Sequence, residues 1–196
     1  MKTIFKESIY SILRLFYENK NDALHLRDIA RKAKLNESTV TTRLNQLEEA
    51  NILSSKKDGN LKKFIVKNQA LKIMFPLFDH EKLERLHLLR KNAVREYLDA
   101  LVSKPLLAVV FGSTAKGSYK EDSDLDILAV FQKKTDTKKA KKHAQSLTGI
   151  RIQEFKLLED EFYKELKYKQ DHVVQSALNT GFPVFNYSYF YEVKNE

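Results

Sequence analysis

The sequence predicts an α+β protein in which a mainly helical N-terminal part precedes a C-terminal part built around strands. Residues 1–68 carry apolar side chains at helical spacing, followed by a hairpin signal at Asp58-Gly59. From Pro105 onward the pattern changes to continuous apolar runs, which are typical of buried strands. A length of 196 residues allows one or two domains, each with a core of its own.

The composition excludes several classes of protein. With 42% hydrophobic and 31% charged residues, the chain does not resemble a disordered segment. It contains no cysteine, which excludes disulfides and thiolate metal sites. No apolar run approaches the roughly 18 residues of a membrane span, and the N-terminus lacks the apolar core of a signal peptide. We therefore expect a cytoplasmic protein without a membrane partner.

Positive charge is concentrated in the N-terminal half. Residues 1–104 hold 21 Lys and Arg against 13 Asp and Glu, whereas residues 105–196 hold 14 against 13. This asymmetry favours a polyanionic partner for the N-terminal half, most simply nucleic acid. A lysine-rich solvated surface is the alternative reading of the charge alone.

Three helices and a hairpin are expected over residues 1–68. The apolar face of the first helix consists of Ile4, Ile9, Ile12, Leu13, Leu15 and Phe16. A second helix is predicted at about residues 26–33. A third is predicted at about 37–50, with Asn36 as its N-cap. Strand-like runs on either side of Asp58-Gly59 complete the order helix, helix, turn, helix, hairpin.

This order resembles a winged helix-turn-helix of the MarR-like or ArsR-like type. The resemblance rests on Leu26-Arg27-Asp28-Ile29-Ala30, on residues 35–40 and on residues 44–53. It implies a third helix that reads the major groove of duplex DNA, and a wing that contacts phosphates. The helix residues are Ser38, Thr39, Thr41, Thr42, Arg43 and Gln46, and the wing residues are Lys56, Lys57, Lys62 and Lys63. RNA or protein contacts remain alternatives for this surface.

Residues 69–104 predict one or two helices that link the two parts. Apolar side chains keep a helical period from Leu83 to Leu101, with Pro76 near the start and Pro105 at the end. This apolar stripe either packs on the sheet of the following domain or forms the contact of a homodimer.

The residues with chemical potential follow Pro105. A buried strand at 106–111 runs into Gly112 and Ser113, where a glycine permits a sharp turn and leaves main-chain N–H groups free for a phosphate. Asp124 and Asp126 are two residues apart at the start of the next strand, so both carboxylates project from one face. A divalent cation relieves the repulsion of such a pair. This combination is what metal-assisted phosphoryl or nucleotidyl transfer requires.

Phe111-Gly112-Ser113-Thr114-Ala115-Lys116-Gly117, followed by Ser123-Asp124-Leu125-Asp126-Ile127, resembles the signature of DNA polymerase β-type nucleotidyltransferases, in particular their minimal forms. The resemblance extends over residues 105–190 and implies a short mixed sheet flanked by helices. It implies that Asp124 and Asp126 bind one or two Mg²⁺ ions. It also implies an NTP, ATP being expected, held by Gly112 and Ser113 with Lys116 and Ser123 nearby. For the last two, a solvated lysine and a turn cap are the alternatives.

Family members usually take a third carboxylate from a later strand, where it activates the attacking hydroxyl. The candidate strand is 150–155, and Glu154 is its only carboxylate. Glu154 shares a face with Ile150 and Ile152. If Gln153 faces the site instead, the third carboxylate is missing.

The sequence therefore predicts a winged helix-turn-helix at 1–68, a helical linker at 69–104 and a nucleotidyltransferase domain at 105–196. The expected activity is Mg²⁺-dependent transfer of a nucleoside monophosphate from an NTP to a hydroxyl acceptor, in a protein that binds DNA. One alternative is a DNA-binding transcriptional regulator whose nucleotidyltransferase-like domain only senses a nucleotide. Another is an enzyme acting on RNA, with the winged helix presenting the acceptor.

Overall fold

The computed structural model describes residues 6–194, so the predicted Ile4 lies outside the described residues. The chain divides into two compact units, one ending at Phe78 and the other beginning at Asp79. Across residues 6–194, no helix combines the length and the apolar character that a membrane crossing needs.

The first unit consists of helices packed beside a three-stranded antiparallel sheet of order β1-β3-β2. Its elements are α1 (Glu7–Glu18), β1 (Leu24–His25), α2 (Leu26–Ala33), α3 (Glu37–Glu49), β2 (Leu53–Asp58), β3 (Leu61–Val66) and the first part of α4 (Asn68–Glu84). Asn36 caps α3 as predicted, because its side chain accepts a hydrogen bond of 2.7 Å from the Thr39 N–H. Asp58 pairs with Leu61, which leaves Gly59 and Asn60 as the two-residue hairpin loop.

The second unit is built on a four-stranded mixed sheet of order β6-β5-β4-β7, in which β5 and β6 run parallel and the other neighbours antiparallel. After the end of α4, its elements are α5 (Leu88–Ala100), β4 (Leu107–Val110), α6 (Gly112–Lys116), β5 (Leu125–Phe131), α7 (Lys138–Thr148), β6 (Ile152–Leu158), α8 (Glu159–Tyr168), α9 (His172–Thr180), β7 (Phe182–Phe185) and α10 (Tyr187–Val193). The short mixed sheet flanked by helices agrees with the α+β class expected from the sequence.

Helices cover both faces of this sheet. On one face, Ala93, Val94 and Tyr97 of α5 and the alanines of α7 form one buried cluster with Ile127 and its strand neighbours. The apolar stripe from Leu83 to Leu101 thus packs on the sheet, the first of its two predicted uses. On the other face, Leu128 and its neighbours are covered by α8, α9 and α10. Because side chains alternate along β5, Asp126 belongs to this second face.

The turn from α9 into β7 is closed by Gly181. A Cβ at this position would overlap the Ala177 carbonyl oxygen and lie 2.7 Å from Val109 Cγ1 and 2.8 Å from the Val110 carbonyl oxygen. The close approach of the α9 terminus to β4 therefore requires a residue without a side chain.

We expect Gly181→Ala to lower the free energy of unfolding of the second unit by about 3 kcal/mol, because two backbone carbonyls must move. Gly149→Ala is the matched control in the same unit. Gly149 has a φ of +73° but nothing within 4 Å of an added Cβ, so only backbone strain of about 1 kcal/mol is expected. Urea denaturation followed by circular dichroism measures both. Equal losses would show that the turn has room for a methyl group.

Candidate functional site

The end of β4 and the start of β5 meet at one corner of the sheet, where Asp126 lies directly against Gly112. The Phe111 N–H donates a hydrogen bond of 3.1 Å to the Asp126 carbonyl, which sets Gly112 beside that residue. Gly112 has a φ of +64°, and a Cβ added to it would collide with Asp126 Oδ2. Backbone conformation and space therefore both require glycine here. The predicted phosphate-binding turn and one carboxylate of the predicted pair are in contact.

The two carboxylates differ in their electrostatic environment. Burial raises the pKa of Asp126, the neighbouring charge of Asp124 raises it further, and Arg90 opposes both effects. The hydrogen bonds from Arg151 hold the pKa of Asp124 below its ordinary value. A divalent cation next to Asp126 would stabilise the ionised carboxylate against this burial and repulsion.

The two aspartates suit a cation that takes its remaining ligands from water and from the substrate. Within the described part of the chain, no three His, Cys, Asp or Glu side chains form a group that could hold a metal ion. Mg²⁺ is commonly held by one or two carboxylates together with water and substrate phosphates. The pair of Asp124 and Asp126 at the start of β5 fits that type of site, and does not fit a site made of protein ligands alone.

Arg90 of α5 holds the loop between α6 and β5, which leads into the aspartates. Arg90 is 2% exposed. Its guanidinium donates to Thr114 Oγ1 (3.0 Å) and to the carbonyl oxygens of Lys120 (3.0 Å), Ser123 (2.6 Å) and Asp124 (3.3 Å). It also stacks on the Tyr119 ring, 4.2 Å from the ring centroid. One buried side chain thus connects α5, α6 and the segment leading into β5.

The remaining predicted nucleotide-binding residues lie around the same turn. Ser113 is half-buried, and Lys116 is exposed in the last turn of α6. The Ser123 hydroxyl accepts a hydrogen bond of 2.9 Å from the Lys120 N–H, so it closes the loop before the aspartates. This contact matches the turn-capping alternative for Ser123.

The structure does not bring Glu154 to the face of the aspartates. In the parallel pairing of β5 and β6, Asp126 lies opposite Gln153, whereas Glu154 lies opposite Ile127. Glu154 is 3% exposed, accepts hydrogen bonds from Tyr97 (2.6 Å) and Thr137 (2.5 Å), and pairs with Lys141 at 3.3 Å. Burial raises the pKa of the Tyr97 hydroxyl, and Glu154 raises it further, so that hydroxyl stays a donor.

A cavity of about 480 Å³ opens at the opposite ends of β5 and β6. It is lined by Phe131, Lys133, Lys134, Thr135, Asp136, Lys156, Leu157, Leu158 and Glu161. None of the predicted site residues belongs to this lining. Gly112, Asp124 and Asp126 form what we call the aspartate corner. Its chemistry, rather than the size of this cavity, identifies the candidate site.

In the first unit, α3 and the hairpin line a common cavity of about 340 Å³ that includes Thr41 and Lys62. The exposed predicted residues of α3 are Ser38, Thr41, Thr42 and Gln46, and Thr39 and Arg43 are half-buried. Several of them bond within the unit. Thr41 and Thr42 donate to carbonyls one turn back (2.8 and 3.0 Å), and Arg43 donates to Ser8 (2.9 Å) and Gln46 (2.8 Å).

The four predicted lysines of the hairpin differ in their partners. Lys63 forms an ion pair of 2.6 Å with Asp58, and Lys62 lies 3.7 Å from Glu48. Lys56 and Lys57 are exposed on the facing strand. The hairpin therefore presents two lysines toward solvent and holds two beside carboxylates.

Two family models match the chain. The model of the MarR family matches residues 6–63, and the model of the nucleotidyltransferase domain matches residues 91–183. The chain joins a MarR family domain to a nucleotidyltransferase domain. The second match begins within α5 and ends within β7, so it includes the whole aspartate corner.

Two solved structures show partial similarity. A protein from Archaeoglobus fulgidus shares 21% identity over 43% of this chain and 94% of its own length, with a TM-score of 0.39. A chain from a crystal structure of a toxin-antitoxin with AMP-PNP shares 18% identity over 53% of this chain and 78% of its own length, also with a TM-score of 0.39. No curated protein matches the chain.

The sequence prediction missed two arginines of the nucleotidyltransferase domain. Arg90 had a detectable signal, because the spacing from Leu86 and to Tyr97 places it on the inward side of a helix, where a charge needs buried partners. Arg151 had none. Its contact with Asp124 depends on the parallel pairing of β6 with β5, which the sequence does not reveal.

We expect Gly112→Ala to weaken divalent cation binding by about tenfold or more, because its methyl group displaces the Asp126 carboxylate. Gly117→Ala is the matched control, since Gly117 ends the same helix with a φ of +72° and has nothing within 4 Å of an added Cβ. Titration with Mn²⁺, followed by electron paramagnetic resonance, measures both. Equal weakening in both variants would assign the effect to backbone strain and refute the steric argument.

Proposed function

We propose that the nucleotidyltransferase domain transfers a nucleoside monophosphate from an NTP, with ATP as the expected donor, to a hydroxyl acceptor. Gly112 and Ser113 hold the triphosphate, and Asp124 and Asp126 hold one or two Mg²⁺ ions. The observation that carries this proposal is the packing of the Asp126 carboxylate on Gly112. Because the two are in contact, a cation on the carboxylate and a phosphate on the turn are neighbours.

The reaction breaks the bond between the α-phosphorus and the oxygen that bridges to the β-phosphate. A new bond forms between the acceptor oxygen and the α-phosphorus, and pyrophosphate leaves with the bonding electrons. When bound, Mg²⁺ neutralises the charge that develops on the phosphates. Arg90 holds the main chain of residues 120–124 in place. The acceptor proton passes to solvent, because the carboxylates of Asp124 and Asp126 are assigned to the cation.

The MarR family domain supplies the second half of the proposal, which is binding to duplex DNA. The exposed side chains of α3 and the lysines of the hairpin suit a helix in the major groove and a wing on the phosphate backbone. The excess positive charge of residues 1–104 supports the same partner.

A second candidate function is a DNA-binding regulator whose nucleotidyltransferase domain only senses a nucleotide. The observation that favours it is the position of Glu154, which lies opposite Ile127 and away from the face of Asp126. A domain that binds a nucleotide without turnover needs the turn at Gly112 but no third carboxylate.

Incubation with Mg²⁺ and NTPs labelled at the α-phosphate, alone and with cell extract, tests the enzyme. We expect wild type to label an acceptor and the double variant Asp124→Ala/Asp126→Ala to label none. Asp160→Asn, which removes an exposed carboxylate outside the site, should label as wild type does. Digestion with nuclease and protease then identifies the acceptor as RNA or protein. Absence of label, together with tight binding of labelled ATP, would favour the regulator.

Substitutions of the hairpin lysines test the proposed binding to DNA. We expect Lys56→Ala/Lys57→Ala to weaken binding to duplex DNA uniformly across sequences and to reduce the salt slope by about 2, one unit for each lost phosphate contact. Lys164→Ala/Lys167→Ala removes the same charge from α8 and serves as the control. Gel-shift titrations at several salt concentrations give the slopes. An identical slope in both variants would exclude the hairpin as a contact, and a preference for RNA over duplex DNA would favour the RNA-directed alternative.

A further inference from the structure

We propose that Arg151 is an exchangeable counterion of the site, which occupies Asp124 while the cation is absent and moves to the nucleotide phosphates when the cation binds. This inference rests on the proposed function, because it assigns Asp124 to the cation and the neighbouring turn to phosphate. It adds a residue whose contact with Asp124 links the binding of the cation to that of the nucleotide.

The contact between Arg151 and Asp124 uses both carboxylate oxygens. Arg151 Nε donates to Asp124 Oδ1 at 2.8 Å, and a terminal nitrogen of its guanidinium donates to Oδ2 at 2.6 Å. Such a paired arrangement is the strongest form of an arginine-carboxylate contact. A cation shared by Asp124 and Asp126 needs an oxygen of Asp124, so it competes directly with the guanidinium.

The exposure of the two partners makes this exchange feasible. The Arg151 side chain is 71% exposed, whereas that of Asp124 is 20% exposed. The Arg151 main chain is fixed, because its carbonyl accepts a hydrogen bond of 2.9 Å from the Leu125 N–H. The guanidinium can therefore leave Asp124 by rotating within solvent, without opening the core and without moving β5 or β6.

Once displaced from Asp124, the Arg151 guanidinium is expected to bind the nucleotide phosphates at the Gly112 turn. Asp124 and Asp126 are two positions apart in the chain, a span of roughly 7 Å when extended, and Asp126 touches Gly112. An arginine side chain covers a distance of that order, and its planar fork of donors matches phosphate oxygens. Arg90 cannot take this part, because it is 2% exposed and its donors are directed to carbonyls and to Thr114. Arg151 therefore brings a mobile positive charge close to the turn.

The two roles of Arg151 predict changes of opposite sign in Arg151→Gln. Binding of Mn²⁺ alone should become tighter by roughly three- to tenfold, because the competitor for Asp124 is gone. Binding of Mn²⁺ with an ATP analogue that has a methylene bridge between the α- and β-phosphates should become weaker, because a phosphate contact is lost. Arg151→Lys keeps the charge without the paired hydrogen bonds, so it should be intermediate in both titrations.

Lys116→Gln separates competition from a general charge effect. It removes one positive charge from the same corner without a contact to Asp124, so it should change the binding of Mn²⁺ alone less than Arg151→Gln does. Asp126→Asn tests whether the Mn²⁺ signal comes from the site. Titration calorimetry and electron paramagnetic resonance measure these affinities without turnover.

The outcomes distinguish this inference from the proposed function. Equal Mn²⁺ affinity in wild type and Arg151→Gln, with loss of binding in Asp126→Asn, would overturn the counterion role and leave the transfer reaction standing. Tighter Mn²⁺ binding without weaker nucleotide binding would refute the movement to phosphate. Absence of Mn²⁺ binding in every variant would overturn the inference together with the cation site of the proposed function. If only the label-transfer assay fails, Arg151→Gln should still bind Mn²⁺ more tightly and the nucleotide analogue more weakly than wild type.

Discussion

The buried guanidinium of Arg90 is the interaction on which the aspartate corner depends. A charge inside a protein needs hydrogen-bond partners. Arg90 donates to one hydroxyl of α6 and to three main-chain carbonyls of the loop between α6 and β5. The positive charge of Arg90 adds to the lowering of the Asp124 pKa and opposes the rise of the Asp126 pKa. The arginine thus fixes the loop geometrically and compensates part of the repulsion between the carboxylates. Because it comes from α5, the site needs that helix as much as it needs the strands.

The order of elements and the aspartate corner could be predicted from the sequence because they depend on local patterns. A glycine after a buried strand predicts a sharp turn, and two aspartates at strand spacing predict carboxylates on one face. Both geometries depend only on residues next to each other in the chain. The position of Glu154 was left open between two faces, because one residue of uncertainty in the start of a strand reverses every side chain. The pairing of Asp126 with Gln153 removes this uncertainty. The contact of Arg151 with Asp124 was beyond prediction, since it joins two strands whose relative register only the folded sheet defines.

In the MarR family domain, the pattern identified the exposed face of α3 but could not show how its side chains bond. The hydroxyls of Thr41 and Thr42 donate hydrogen bonds to carbonyls of their own helix, as threonines on exposed helix faces often do. Arg43 is held between Ser8 and Gln46. A nucleic acid that approaches this face must compete with these internal hydrogen bonds. Lys56 and Lys57 of the hairpin do not face this competition, and they are the groups best placed for a first, non-specific encounter.

The contact between Gly112 and Asp126 has a consequence for how such a site would decay in evolution. While the carboxylate is present, a side chain at position 112 displaces it, so replacing the glycine first disables the site at once. Once Asp126 is lost, the left-handed backbone conformation still restrains this position, and asparagine adopts it more readily than most residues other than glycine. A chain that loses Asp126 first is therefore free to lose the glycine afterwards, with only the backbone conformation as a restraint. A lineage that keeps Gly112 without Asp126 would record an early stage of that route.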